Sequence, residues 1–154
     1  MKEVKSLNNV AEFHNTFGHP VEKEPSIPSQ SRCDLRVSLL SEELDELKEA
    51  IEKKDLVEIA DALCDLQYVL SGAILEFGMG DVFETLFTEV HRSNMSKACD
   101  TVEEAEKTMK HYKETKNEES YYEEKDGKYL VFRKGDDKTL KSIHYSSAKL
   151  KEIL

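Results

Sequence analysis

Two groups of carboxylates, close together in the sequence, have the residue types and the spacing to bind a metal ion. The first group is Glu42, Glu43 and Glu46, and the second is Glu58 and Asp61. Within each group, residues three or four apart share one side of a helix. Like charges at these spacings weaken a helix by roughly a few tenths of a kcal/mol per pair. A cation between the two groups would remove that cost.

Most of these carboxylates also have a simpler structural interpretation. The run Glu42–Glu46 could be the solvated face of a charged helix, and Glu58, which follows Asp55 by three residues, could take part in a helix cap. Asp61 is harder to explain in this way, because its sequence neighbours are apolar and an unpaired carboxylate in an apolar helix is costly. Asp65 repeats that feature one turn later. Together, the pattern favours a metal-ligand cluster.

The type of ligand selects the metal. Sites made of several carboxylates and no nitrogen or sulfur suit Mg²⁺ or Mn²⁺. Di-iron helical bundles use a Glu-x-x-His pattern, and none of the five histidines follows a glutamate by three residues. The chain has no His-Glu-x-x-His motif, and its cysteines lack zinc-site spacing. The residues therefore predict Mg²⁺ or Mn²⁺ as the cofactor.

The two carboxylate groups must be positioned by two helices. Lys53 and Lys54 close the first of these, because cations suit a helix C-terminus, and Asp55 opens the next. So short a connection predicts that the two helices pack antiparallel. Apolar residues at helical spacing mark the first helix of the pair at Val37, Leu40, Leu44, Leu47 and Ile51. The helix after Asp55 is apolar around much of its circumference, which predicts a central place in the core.

The remaining patterns predict an all-α fold, a bundle of four to five helices with a small C-terminal β-hairpin or meander. An earlier helix ends at Gly18, and an irregular loop holding all three prolines follows it. A fourth helix is capped by Asp81, and a capping box at Thr101–Glu104 opens a fifth that runs to about Thr115. We expect one domain, 1–154, with a helical core over about 1–116. A β appendage, with Leu140–Tyr145 in the meander, and a short terminal helix occupy about 117–154.

Composition limits the partners of this chain. Its 154 residues carry 22 Lys and Arg against 32 Asp and Glu, a formal net charge of -10. We expect no binding to nucleic acid or to an anionic membrane, because no basic patch is available to replace phosphate counterions. Three cysteines without a CxxC spacing, no leader segment and no long apolar stretch predict a cytoplasmic protein.

Four sequence segments resemble one enzyme superfamily. The run Glu42-Glu43-Leu-Asp-Glu46, followed by Glu58-Ile-Ala-Asp61, is similar to the signature of the all-α nucleoside triphosphate pyrophosphohydrolases. That superfamily includes MazG-like proteins, dimeric dUTPases and phosphoribosyl-ATP pyrophosphatase. Residues 13–20 and the run Glu89-Val-His-Arg-Ser-Asn-Met-Ser-Lys97 resemble its phosphoribosyl-ATP pyrophosphohydrolase-like branch. The resemblance covers about residues 4–97.

The resemblance implies hydrolysis of a nucleoside triphosphate between its α- and β-phosphates, which gives a nucleoside monophosphate and pyrophosphate. It also implies a homodimer or a dimer of dimers. Asp65 would support the ligands rather than bind the metal. The implied site comprises Glu43, Glu46, Glu58 and Asp61 as metal ligands, Glu42 as the group that positions or deprotonates the water, Asn94 and Lys97 as substrate contacts, and Arg92 as a weaker candidate contact.

Structural roles remain open for several other residues. Asn94 could be a helix cap and Lys97 an ordinary surface lysine. His14, on an apolar stripe, is expected to be a core residue. Phe13, Phe17 and Tyr68 could stack on a base, although aromatic residues at helical spacing usually belong to a core.

Two alternative functions remain open on the sequence alone. Phosphoribosyl-ATP could be the sole substrate, although a helix after Lys97 and the hairpin extend this chain beyond the usual form of such enzymes. A protein of a different class, a helical interaction module without catalytic activity, would also carry charged amphipathic helices.

Overall fold

The computed structural model describes residue 2 and residues 4–154. Over these residues the chain is mostly helical, with one small hairpin in its C-terminal part, so the predicted all-α fold class is confirmed. The chain divides into two compact units, Met1–Phe83 and Glu84–Leu154. That the whole of 1–154 acts as one domain stays a prediction, and its residues 1 and 3 lie outside the described part. The elements are α1 (Ser6–Phe17), α2 (Gln30–Lys53), α3 (Leu56–Glu76), α4 (Phe83–Met95), α5 (Val102–Lys116), β1 (Ser120–Lys125) and β2 (Lys128–Arg133).

The turn between α2 and α3 has the predicted short form. Lys54 ends α2 in the left-handed conformation with φ of 56°. Asp55 then caps α3, because its Oδ1 accepts hydrogen bonds from the N–H groups of Val57 at 2.9 Å and Glu58 at 3.2 Å. This connection lets α2 and α3 pack closely against each other, which brings their carboxylate-bearing faces together.

In the first unit, α3 packs against both α1 and α2. The predicted central place in the core holds for its C-terminal half, where Ile74 and Leu75 are buried, but not for its N-terminal half, where Leu56 is 78% exposed. The apolar stripe of α2 is only partly covered: Leu40 and Leu47 are half-buried, whereas Val37 and Ile51 are 64% and 55% exposed. The difference arises because α2 contacts α3 along one side, and the stripe is wider than that contact. The buried apolar residues of this unit are Val10, Ala50, Ala62, Ile74 and Leu75.

The proline-containing loop between α1 and α2 is fastened to the end of α3. The N–H of Glu22 donates to the carbonyl of Leu75, and the N–H of Ser26 donates to that of Phe77, both at 3.0 Å. Gly78 makes this close approach feasible. Its φ is 68°, and a Cβ atom there would lie 1.9 Å from the carbonyl oxygen of Glu24.

The second unit contains α4, α5 and the hairpin. The predicted capping box of α5 is confirmed, because Thr101 Oγ1 accepts from the N–H of Glu104 at 3.2 Å. Glu104 returns the bond one residue earlier than in the usual box, since its Oε2 accepts from the N–H of Asp100 at 2.8 Å. The core of this unit consists of Cys99, Ala105, Tyr112, Val131 and Leu140.

The C-terminal appendage is a two-stranded hairpin. β1 and β2 pair antiparallel from Ser120 opposite Arg133 to Lys125 opposite Lys128. Asp126 and Gly127 form the turn with φ of 52° and 74°, which suits the twist of a tight hairpin. The expectation of a further strand at Leu140–Tyr145 is wrong: within the described chain, beyond β2, only an isolated bridge joins Thr139 to Phe132.

The predicted terminal helix is likewise reduced to a single 3₁₀ turn, Leu150–Glu152. In the segment between β2 and this turn, the N–H of Leu140 still bonds to the Val131 carbonyl of β2, whereas Ile143 and Tyr145 bond to α5 and α4. Across residues 2 and 4–154, no helix is long and apolar enough to cross a membrane.

Candidate active site

The facing turns of α2 and α3 bring five carboxylates into one electrostatic neighbourhood. Glu43 is half-buried, and burial raises the pKa of its carboxyl. The carboxylates of Asp65, Glu46, Glu42 and Asp61 raise that pKa further, in this order of strength. Two of these neighbours lie on α2 with Glu43 and two on α3. Both predicted carboxylate groups therefore contribute to the same cluster, centred on Glu43.

Asp65 has a larger part in this cluster than the sequence predicts. Among the charged neighbours of Glu43, Asp65 has the strongest effect on its pKa, ahead of Asp61. The signal was present in the sequence, because Asp61 and Asp65 are four residues apart and share one side of α3. A supporting role for Asp65 stays a prediction.

Glu58 lies one turn before Asp61 on the same side of α3. Its backbone N–H, and not its carboxylate, bonds to the capping Asp55 at 3.2 Å. Its side chain is exposed. The Glu58 carboxylate therefore takes no part in the cap. Its role as a metal ligand stays a prediction.

The donor set of this cluster fits a hard divalent cation. Carboxylate oxygens on two facing helices are the ligands that Mg²⁺ and Mn²⁺ prefer. Within the described residues, no group of three or more His, Cys, Asp or Glu side chains already converges as a metal site. Burial raises the pKa of Glu43 most, and the four neighbouring carboxylates raise it further through a repulsion that a cation would relieve.

A buried charge network, which the sequence patterns did not predict, stabilises the same unit. Glu76 is 1% exposed, and its Oε1 accepts from Arg36 Nη2 at 2.5 Å. Arg32 Nε donates to the second carboxylate oxygen of Glu76 at 3.1 Å. Burial alone would raise the pKa of Glu76, but the hydrogen bonds from Arg36 and Arg32 outweigh it and lower the pKa.

His14 completes this network as a neutral base. Its Nδ1 lies 2.7 Å from the carbonyl oxygen of Pro20, so that nitrogen carries the proton. Nε2 is then free to accept from Arg36 Nη2 at 3.2 Å. Burial lowers the pKa of His14, and the charge of Arg36 lowers it further, against the opposing effect of the Pro20 carbonyl. The prediction of a satisfied core histidine is confirmed.

A cavity of about 210 Å³ lies next to the carboxylate cluster in the same unit. Aromatic side chains line one part of it: the ring of Phe13 lies 5.8 Å from that of His19 and 5.6 Å, edge to face, from that of Tyr68. Arg36 also lines the cavity, and its buried Nε has no hydrogen-bond partner among the described residues. Tyr68 follows Asp65 by three residues, so the cavity begins one helical turn from the cluster.

These aromatic residues are less buried than the core interpretation predicts. Phe13 is 37% exposed, Tyr68 is 38% exposed and Phe17 is 63% exposed. The loop between α1 and α2 covers the end of α3 rather than the rings, which leaves them facing the cavity or solvent.

The three predicted substrate contacts lie in the second unit. Lys97 Nζ donates to Asn94 Oδ1 at 2.8 Å, so these two residues form a pair. Asn94 lies inside α4, which ends at Met95, so its side chain does not cap the helix. Arg92 is engaged with Glu89 through Nε and Nη2, both at 2.8 Å. Hydrogen bonds from Arg92 and Lys149 lower the pKa of Glu89 to about 2, which indicates a firm ion pair.

Comparison with known proteins adds an independent line of evidence. The model of the phosphoribosyl-ATP pyrophosphohydrolase family matches residues 10–94, more than half of this chain. The match includes both carboxylate groups and Asn94, and it ends before Lys97. An uncharacterized protein of Acanthamoeba polyphaga mimivirus, L479, is 37% identical over 78 residues. The alignment spans 48% of this chain and 29% of the viral protein.

Proposed function

We propose that this chain, which belongs to the phosphoribosyl-ATP pyrophosphohydrolase family and is therefore a nucleotide pyrophosphohydrolase, cleaves nucleoside triphosphates with the help of Mg²⁺. Cleavage between the α- and β-phosphates would give a nucleoside monophosphate and pyrophosphate. The observation that supports this proposal best is the set of four carboxylates gathered around Glu43, which raise its pKa beyond the effect of burial.

Four carboxylates have the role of metal ligands in this proposal, three of them from this cluster and the fourth, Glu58, from the turn before Asp61 on α3. Glu43, Glu46, Glu58 and Asp61 would hold Mg²⁺, or Mn²⁺, and the bound ion would neutralise charge on the phosphate oxygens. A chain with a formal net charge of -10 otherwise repels a triphosphate. Asp65 would support these ligands from α3, and its charge, which repels that of Glu43, adds to the repulsion that a bound cation would relieve.

The remaining predicted residues act on water and substrate. The exposed carboxylate of Glu42 would accept a proton from the attacking water at one of its oxygens. Asn94 and Lys97, already paired with each other, would contact sugar and phosphate. Arg92 stays the weaker candidate, because its guanidinium also donates to the Ser147 carbonyl at 3.1 Å.

The aromatic cavity favours a nucleotide substrate over a simple polyphosphate. Stacking of a base on Phe13 or Tyr68 would contribute about 1–3 kcal/mol. A cavity one helical turn from the cluster would hold the nucleoside while the phosphates reach the carboxylates. Phosphoribosyl-ATP also has a base and a chain of phosphates, so it would use the same cavity and the same carboxylates. It is the second candidate substrate, and the family match is equally consistent with it.

We also propose a homodimer or a dimer of dimers. Several large apolar side chains are exposed along α2 and α3, and a group of exposed apolar residues is typical of an interaction surface. Light scattering coupled to gel filtration would test this assembly. The residues concerned are Val37, Leu44, Ile51, Leu56, Val57 and Leu63.

We further propose a cytoplasmic location. Cys33, Cys64 and Cys99 are free thiols, which supports this proposal.

A product-resolved substrate panel tests the enzymatic proposal. The protein is incubated with Mg²⁺ and each of the common NTPs, dNTPs and phosphoribosyl-ATP, and the products are separated by ion exchange. We expect a nucleoside monophosphate and pyrophosphate from at least one triphosphate. Orthophosphate as the product, or cleavage of phosphoribosyl-ATP alone, would contradict the proposed reaction.

Two substitutions separate an enzyme from an inactive interaction module. We expect Glu43→Gln and Asp61→Asn to lower kcat by at least about 100-fold, because each removes a charged ligand. Glu49→Gln is the matched control, since Glu49 is exposed on α2 and pairs with Lys53. Full activity in both site variants, or equal losses in all three, would count against the site.

A further inference from the structure

The C-terminal segment beyond β2 is fastened to the end of α4. The N–H of Ser142 donates to the carbonyl of Lys97 at 3.2 Å. The hydroxyl of Tyr145 lies 2.9 Å from Ser93 Oγ. Two contacts on successive turns therefore fix the segment beside the residues that follow α4.

This attachment places the Lys141 ammonium group over the Tyr145 ring and brings the charge of Lys97 within electrostatic reach of the Tyr145 hydroxyl group. Lys141 Nζ lies 4.1 Å from the centroid of the ring. The hydrogen bond with Ser93 lowers the pKa of Tyr145 most, and the charges of Lys141 and Lys97 lower it further. Both lysines therefore act on the same hydroxyl group, although 44 positions separate them in the sequence.

These two lysines have no carboxylate partner. Among the described residues of this unit, neither Lys97 nor Lys141 forms an ion pair, whereas Arg92 is paired with Glu89. Glu104 contacts the same segment, but its two oxygens are engaged by the Ser142 hydroxyl and the Asp100 N–H. Two uncompensated cations beside a hydroxyl group, in a chain of net charge -10, are a site for an anion.

We propose that Lys97, Lys141 and Tyr145 together bind a phosphoryl group. The inference rests on the proposed function for the identity of that group, a phosphate of the substrate or of the pyrophosphate product. Each ammonium group would donate to a phosphate oxygen, and the Tyr145 hydroxyl would donate a third hydrogen bond when Ser93 donates to it. Lys141 and Tyr145 lie outside the stretch that matches the family, 10–94.

The role of these residues is binding, so their loss should act on affinity. We expect Lys141→Ala to raise KM for the triphosphate about 5- to 10-fold with little change in kcat, because a ground-state contact is lost. Tyr145→Phe should raise KM about 3-fold, since it removes one hydrogen bond and keeps the ring. Lys138→Ala, an exposed lysine in the same segment, removes the same charge and should change KM less than about 2-fold.

Binding of inorganic pyrophosphate to the full chain, measured by calorimetry without nucleotide, tests the site apart from turnover. We expect Lys141→Ala and Tyr145→Phe to weaken this binding by the same factors and Lys138→Ala to leave it unchanged. Equal effects of Lys138→Ala and Lys141→Ala would show general charge screening and overturn the proposal. If Tyr145→Phe, which keeps the fold, changes neither the affinity for pyrophosphate nor KM, the proposed role of Tyr145 in binding the phosphoryl group would be refuted.

The two proposals fail in different ways. If the wild-type chain binds pyrophosphate through Lys141 and Tyr145 but hydrolyses no triphosphate, the phosphoryl site stands and the proposed reaction does not. If triphosphates are hydrolysed and both variants match the wild type in KM and in pyrophosphate affinity, the reaction stands and the phosphoryl site is refuted.

Discussion

Glu76 is buried against Arg36, whose Nη2 atom lies 2.5 Å from the carboxylate oxygen Oε1. A charge in the interior is costly unless a partner of opposite sign compensates it. Arg32 contributes a second guanidinium to the same carboxylate, and His14 accepts from Arg36 on the other side. This network joins α1, α2 and α3, the three helices of the unit that carries the carboxylate cluster.

Glu76→Gln should destabilise the protein strongly, because it leaves the buried charge of Arg36 without compensation. We expect the free energy of unfolding to fall by about 3–5 kcal/mol. Urea titration followed by circular dichroism measures the change. Glu49→Gln, which breaks an exposed pair with Lys53, should stay within about 0.5 kcal/mol of the wild type. A loss below 1 kcal/mol for Glu76→Gln would mean that the network contributes little.

The sequence offered only a faint indication of this network. Its members come from three separate segments, and helical periodicity reports neighbours within one helix only. Arg32 and Arg36 are four residues apart, and Glu76 is the one charged residue between 66 and 80. The sequence thus indicates that the Glu76 carboxylate lies among apolar residues. It does not identify the partner of Glu76, which depends on how the helices pack.

The pKa of His14 predicts a loss of stability on acidification. Burial lowers this pKa from 6.5, so the unfolded chain takes up a proton at a higher pH than the folded chain does. The stability that neutral His14 provides is complete above pH 6.5 and declines as the pH falls below that value. Glu76, whose pKa is also lowered, adds a further decline below its ordinary value of 4.5.

His14→Gln tests the first of these declines. Glutamine keeps one donor for the Pro20 carbonyl and one acceptor for Arg36, but it does not titrate. We expect the variant to lose less stability than the wild type between pH 7 and pH 5, and to show the same decline at lower pH. Urea titrations at several pH values measure both. Identical slopes for the two proteins between pH 7 and pH 5 would refute a titrating role for His14.

Gly72 is required by the same network. A Cβ atom at this position would lie 2.6 Å from Arg36 Nη1 and 3.0 Å from His14 Nε2. Gly72→Ala gains about 1 kcal/mol of helix propensity, but the displaced, buried Arg36 should outweigh that gain. We expect a net loss of about 1–3 kcal/mol. Gly80→Ala is the control, since its nearest neighbour would be Leu75 Cδ2 at 3.2 Å, and its effect should be smaller. A stabilised Gly72→Ala variant would show that Arg36 moves aside easily.

The carboxylate cluster was more predictable than the network. Residue spacing placed Glu43 and Asp61 on facing sides of α2 and α3, because three- and four-residue repeats fix the face of a helix. The strength of the effect of Asp65 on the pKa of Glu43 could not be predicted in this way, since it depends on the distance between the two helices. The hairpin turn could also be predicted, because an Asp-Gly pair such as Asp126 and Gly127 favours the positive φ angles that a tight hairpin turn requires. Leu140 donates its N–H to the Val131 carbonyl of β2, but the N–H of Ile143 and the hydroxyl of Tyr145 bond to α5 and α4 instead. These long-range contacts, which local patterns do not contain, end the strand-like pairing.

Asp65→Asn should shift the acidic limb of the pH–rate profile. The negative charge of Asp65 helps to raise the pKa of Glu43, so its removal lets Glu43 ionise at a lower pH. We expect activity to persist to lower pH in the variant, with kcat reduced about 10- to 100-fold. Initial rates with the best triphosphate between pH 5 and pH 9 measure both effects. A reduced kcat with an unmoved acidic limb would assign Asp65 a structural role without charge coupling to Glu43.

Tyr68→Ala should weaken the binding of the nucleoside and leave the phosphates unaffected. The ring of Tyr68 lines the cavity beside Phe13, and stacking on a base contributes about 1–3 kcal/mol. We expect KM for the triphosphate to rise about 10-fold, while the affinity for inorganic pyrophosphate stays that of the wild type. Phe17→Ala is the matched control, because the ring of Phe17 contacts that of Phe13, with 4.4 Å between the centroids and the two rings tilted, but does not line the cavity. Equal changes in KM for both variants would place the base elsewhere, and a parallel loss of pyrophosphate affinity would indicate that Tyr68 supports the fold of the site instead of the base.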